Sequence, residues 1–134
     1  MNASLIKSKV GSLDPKKPFY LSADASVKDA VKSMKEHQMG CVLIKDGEKW
    51  AGILTERDVL RSLSRNVDLR NIKVAELMDD DPNYLYDDDS AAYALNEMSV
   101  GGHRSLSVLG KDNKPNGILT IEHILDHIID RLNF

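Results

Sequence analysis

Thr55 and Asp58 stand three residues apart in Gly-Ile-Leu-Thr-Glu-Arg-Asp, residues 52 to 58, where an apolar strand pattern gives way to a helical one. That spacing is a capping box: the Thr oxygen accepts from the backbone N–H three residues on, and the carboxylate there accepts from the Thr N–H. The same carboxylate is a charged acceptor whose two oxygens can hold a pair of hydroxyl groups. A second constellation is His103-Arg104, directly after Gly101-Gly102. A guanidinium fork beside flexible backbone suits a phosphate; the plain alternative is an exposed arginine paired to one of the chain's many carboxylates. Thr120 repeats Thr55, since Gly-Ile-Leu-Thr recurs at residues 117 to 120, but the position three residues on is His123. A neutral imidazole lacks the paired acceptor oxygens of a carboxylate.

Other chemistry finds less support. His123 and His127 have the i, i+4 spacing of two metal ligands, but no pattern supplies a third, so no metal site is assigned. Cys41 lies in an apolar strand run and reads as a small core thiol. The triplets Asp79 to Asp81 and Asp87 to Asp89 lack the alternating spacing of a calcium loop and read as solvated loops. Neither a Gly-rich phosphate loop, nor a hydrolase elbow, nor paired catalytic carboxylates can be placed. The reading is therefore non-catalytic, with no required cofactor.

Composition narrows the field. The 134 residues carry a formal charge of -3, and no basic stripe offers itself to phosphate backbones, which argues against a nucleic-acid partner. The single cysteine cannot form an internal disulfide, which favours a cytoplasmic location. Met1 to Gly11 carry Lys7 and Lys9 but no apolar run of signal-peptide length, and no segment has the roughly 18 apolar residues of a membrane span.

The elements that must position these residues come in two copies. The two Gly-Ile-Leu-Thr runs are 65 residues apart, and a shift of 64 pairs Val10 with Val74, Leu21 with Leu85, Ser26 with Ser90 and Met34 with Met98. The extra residue falls in the turn Gly110 to Pro115. Each copy reads as strand, helix, strand, strand, helix, giving an α/β fold. In the first, Phe19 to Ser22 is a strand, Ser26 caps a helix, Asp46-Gly47 joins the strands Cys41 to Lys45 and Trp50 to Leu54, and Val59, Leu60 and Leu63 line one side of a closing helix. In the second, strands fall near Tyr84 to Tyr86, at Ser105 to Leu109 and at Gly117 to Leu119, with a helix from about Ser90 to Ser99. The last helix, carrying Ile121, Ile124, Leu125, Ile128, Ile129 and Leu132, has an apolar face that must be buried against something. The organisation expected is 1–65 for the first repeat with its leading segment, 66–73 for a linker, and 74–134 for the second repeat. The chain could equally be a regulatory piece of a longer polypeptide.

Gly-Ile-Leu-Thr-Glu-Arg-Asp resembles the Gly-hydrophobic-x-Thr/Ser-x-x-Asp signature that closes a cystathionine beta-synthase (CBS) domain. The resemblance runs from about Val10 to Leu132 and includes Val-Gly-Ser-Leu, Val-Ala-Glu-Leu-Met and the strand pair before each signature. It implies two pseudo-twofold CBS repeats paired into a Bateman module, with two clefts between the repeats that take adenine nucleotides (AMP, ADP, ATP) or a relative such as S-adenosylmethionine. It further implies that Thr55, Asp58 and Thr120 contact ribose or phosphate, that His103 and Arg104 contact phosphate, and that the module forms a homodimer that regulates a partner protein or domain. The rival reading is a structural dimerisation domain with eroded ligand sites, to which His123 in the acid position lends weight.

Overall fold

Ser26 and Ser90 each start a helix by the same means. In the computed structural model, which describes residues 7–132, with side chains only as far as residue 130, the Ser26 hydroxyl accepts from the Asp29 N–H at 3.0 Å and that of Ser90 from the Tyr93 N–H at 3.1 Å. In chain order the elements are β1 (Tyr20–Ser22), α1 (Val27–His37), β2 (Cys41–Asp46), β3 (Lys49–Thr55), α2 (Glu56–Ser64), α3 (Val74–Leu77), β4 (Tyr84–Tyr86), α4 (Ala91–Gly101), β5 (Ser105–Leu109), β6 (Pro115–Thr120) and α5 (Ile121–Leu132). Single 3-10 turns lie at Val10–Leu13 and Leu69–Asn71. The start of the leading segment, residues 1–6, lies outside the described residues, as does the side chain of Leu132.

The two copies fold alike. Each sheet has three strands, β1-β2-β3 and β4-β5-β6, with the first pair parallel and the second a hairpin. The hairpins carry bulges at equivalent places, between Ile44 and Lys45 and between Val108 and Leu109. Helices α1 and α4 end at equivalent residues in the left-handed region, Gln38 at φ 52° and Gly102 at φ 72°. Only the glycine adopts that conformation without a Cβ penalty.

The compact units are offset from the sequence repeats. Residues 19–82 form one, and residues up to 18 together with those from 83 onward form the other. In the contiguous unit, Val27, Ala30, Met34, Val42, Ile44, Leu54, Val59 and Val74 make the core. In the other, the fully buried Val10 and Leu13 of the leading segment join Leu85, Ala91, Ala94, Met98, Leu106, Val108, Leu119 and Ile124. Burying each such aliphatic side chain is worth about 1.5–3 kcal/mol, so the leading segment is a structural part of the second copy's unit.

Backbone pairing fixes these crossings. Lys16 and Ile118 exchange hydrogen bonds at 2.8 and 2.7 Å, and at the equivalent place Asp79 and Ile53 exchange bonds at 2.9 and 3.0 Å. Both pairings pass over a signature glycine. A Cβ on Gly52 would collide with the Asp79 carbonyl oxygen, and one on Gly117 would lie 2.7 Å from the Pro15 Cβ.

Three expectations need correcting. The side of α2 that faces the core carries Val59 and Ser62, whereas Leu60 and Leu63 are exposed; positions 59 and 62 share an i, i+3 ridge that leaves 60 and 63 beyond its edge. On α5, Ile124 is buried and Ile121 and Ile128 pack beside it, but Leu125 and Ile129 are exposed. The acidic triplets are more than solvated loops. Asp79 pairs with Ile53, and the Asp87 and Asp89 carbonyls accept from the Gly11 and Val10 N–H groups at 2.8 Å each.

Candidate functional site

In the contiguous unit, β3 ends at Thr55 and α2 begins one residue later, so the strand-to-helix corner is a single peptide. Asp58 Oδ2 accepts from the Thr55 N–H at 2.9 Å and from the Thr55 hydroxyl at 3.0 Å, while Thr55 Oγ1 accepts from the Asp58 N–H at 3.3 Å. The capping box is complete, and it commits only one carboxylate oxygen. Asp58 Oδ1 has no hydrogen-bond partner among the described residues. Across the ladder Thr55 faces Cys41, and the Glu56 N–H donates to the Gly40 carbonyl at 2.9 Å. The Glu56 carboxylate lies directly against Gly40, in the space a Cβ would fill.

The other unit repeats the corner with different chemistry. Thr120 is buried, faces Ser105 across the ladder, and accepts at its hydroxyl from the His123 N–H at 3.1 Å. The Ile121 N–H donates to the Arg104 carbonyl at 3.0 Å, matching the bond at Gly40. The Arg104 side chain turns to Glu122, with Nη2 2.9 Å from Oε1. His103 turns away from it, its Nε2 2.9 Å from Asn83 Nδ2. The Glu122 carboxyl is held below its ordinary value of 4.5, first by its own backbone N–H, then by the Arg104 guanidinium and by the charge of Lys16, with burial acting the other way.

The structure thus brings Thr55 and Asp58 together on one unit, and Thr120, His103 and Arg104 to one corner of the other. Glu122 and Asn83, which occupy the Arg104 and His103 side chains, were not identified from the sequence. Superimposing the copies gives a hint of the first, because Glu122 falls on Arg57. His123 and His127 have ring centroids 5.5 Å apart, and no group of three or more metal-ligating side chains occurs among the described residues. Nor is any helix there long and apolar enough to cross a membrane.

The family model of the CBS domain matches residues 10–65 and 74–130. The chain belongs to the CBS domain family, as a tandem pair. A protein with CBS domains from Burkholderia ambifaria is 28% identical, with a TM-score of 0.82 over 98% of this chain and 96% of that one. A CBS domain protein of Pyrobaculum aerophilum complexed with AMP is 19% identical, with a TM-score of 0.78 over 92% and 99% of the two chains. The CBS domain pair of protein MJ0100, complexed with 5'-methylthioadenosine and S-adenosyl-L-methionine, is 21% identical, with a TM-score of 0.80 over 92% and 98%. The chain spans 74% of the length of one curated relative and 22 to 38% of others.

Proposed function

We propose that this CBS pair is a regulatory module that senses an adenine nucleotide, AMP, ADP or ATP, or an adenosyl ligand such as S-adenosylmethionine, and passes the signal to a partner protein or domain through a change of shape or assembly. The observation that carries it is the Asp58 carboxylate, held rigidly by Thr55 through one oxygen and offering the other. A ribose needs that arrangement, since a charged acceptor fixed in place costs little ordering when the hydroxyls arrive. Thr55 positions the acid; Thr120, His103 and Arg104 supply the corresponding contacts of the second repeat. Binding of AMP and of S-adenosyl-L-methionine by the two fold neighbours supports the ligand class. In this reading the module is a cytoplasmic homodimer.

A structural dimerisation domain is the second reading. The ion pair of Arg104 with Glu122 favours it, because it occupies the guanidinium meant for phosphate. A melting-temperature screen over AMP, ADP, ATP, NADH and S-adenosylmethionine separates the two. A ligand at 100 times its dissociation constant stabilises the fold by about 2.7 kcal/mol. No shift with any of them would leave the dimerisation domain as the better account.

A further inference from the structure

Superimposing the repeats with the 65-residue shift reverses the charge of one helix face and keeps its apolar positions. Arg57, Arg61 and Arg65 run along α2 and its C-terminal cap at i, i+4 spacing; Glu122, Asp126 and Asp130 occupy the same positions on α5. All six residues are exposed. Between the arginines lie Leu60 and Leu63, 64% and 50% exposed, and between the acids lie Leu125 and Ile129, 51% and 47% exposed. None of the three guanidinium groups, and neither Asp126 nor Asp130, has an ion-pair partner among the described residues. Like charges at i, i+4 weaken the helix that carries them. Two such stripes of opposite sign, each beside exposed leucine or isoleucine, suit each other.

Resting on the homodimer reading above, we infer that the dimer pairs unlike repeats: α2 of one copy seats on α5 of a second copy, and that copy's α2 seats on α5 of the first. Leu60 and Leu63 meet Leu125 and Ile129 at the centre, and Arg61 and Arg65 meet Asp126 and Asp130 at the rim. Pairing like repeats would set arginine against arginine and aspartate against aspartate, and such juxtaposition is strongly unfavourable across an interface. The polar rim selects the partner helix, while the four aliphatic side chains supply the area removed from water.

Charge reversal on one face at a time tests this, using residues away from the two strand-to-helix corners. Arg61→Glu with Arg65→Glu makes both stripes acidic; Asp126→Arg with Asp130→Arg makes both basic. Light scattering coupled to gel filtration should show the wild type as a dimer, and each face variant dissociating at least about tenfold more readily. The chain carrying all four substitutions restores complementarity and should dimerise again, as should an equimolar mixture of the two face variants. That recovery distinguishes lost pairing from lost folding, and melting curves of each variant check it. If the wild type dimerises and both face variants stay equally tight, the unlike pairing is overturned while the dimer stands. If the wild type is a monomer at every concentration up to high micromolar, the homodimer itself is overturned, and the pairing with it.

Discussion

Arg104 and Glu122, 18 residues apart in sequence, meet at 2.9 Å in front of the α5 N-terminus, at the positions where the first repeat has Gly40 and Arg57. The carboxylate sits beside its own backbone N–H, so an internal anion fills a place otherwise suited to a phosphate oxygen. The two corners share a backbone and differ in whether their charges are already spent.

Replacing Glu122 with Gln should therefore improve binding of phosphate-bearing ligands at the second repeat. The pair is exposed and worth at most about 1 kcal/mol, so the gain should not exceed about fivefold. Calorimetric titration of AMP against wild type and variant reads it. Weaker binding by Glu122→Gln would show that the acid helps the ligand rather than competing with it.

The same pair predicts a pH dependence. Glu122 holds its proton less tightly folded than unfolded, so its contribution is present above its ordinary value of 4.5 and is lost as pH falls through the lowered folded value. Wild type should melt above Glu122→Gln at pH 7, and the two should converge in acid. A gap that widens in acid would contradict the assignment.

Asp58 has two tasks, which substitution can separate. Asp58→Ala removes the box and should cost about 1 kcal/mol of stability and weaken ligand binding roughly tenfold or more. Asp58→Asn keeps the size and one acceptor, so it should melt closer to wild type yet still bind poorly. His123→Ala should change little, because it is the backbone N–H of His123 that reaches Thr120. If Asp58→Asn binds as wild type does and His123→Ala loses binding, the ligand has been placed at the wrong corner.

Ser107 is fully buried on β5, where the first repeat has Leu43, and its hydroxyl has no hydrogen-bond partner. Ser107→Ala should raise stability by about 1 kcal/mol, seen as a higher urea midpoint at unchanged slope. A lower midpoint would mean that the hydroxyl is satisfied in solution.

Gly52→Ala and Gly117→Ala should each destabilise by about 1–3 kcal/mol, since the added methyl meets the crossing segment at Asp79 or Pro15. Matched losses by chemical denaturation would show both crossings to be equally close. An unaffected variant would show that its segment can move aside.

What the sequence displayed was local. The capping box at Thr55, the helix starts at Ser26 and Ser90 and the turn after Asp46 are contacts within a few residues, governed by spacing and side-chain type. The partner of Arg104 lies across a hairpin, and no short-range pattern distinguishes Glu122 from the other acids nearby. Leu60 and Leu63 were misplaced for a related reason. On a nine-residue helix the apolar positions span more arc than one core face accepts, and the buried Ser62 shows which arc was chosen. The exchange of leading segments escaped altogether, because the sequence repeat and the packed unit have different ends.

That exchange orders events at the ribosome. Residues 19–82 are contiguous and have everything their core needs once the chain has grown just past Pro82. Val10 and Leu13 are made first but have nothing to pack on until Leu119 and Ile124 emerge, more than a hundred residues later. The earliest part of the chain therefore waits longest. The high sequence separation of its contacts makes closure of that second unit the slow step of folding, and the period when this short amphipathic segment is open to chaperones or to the wrong neighbour.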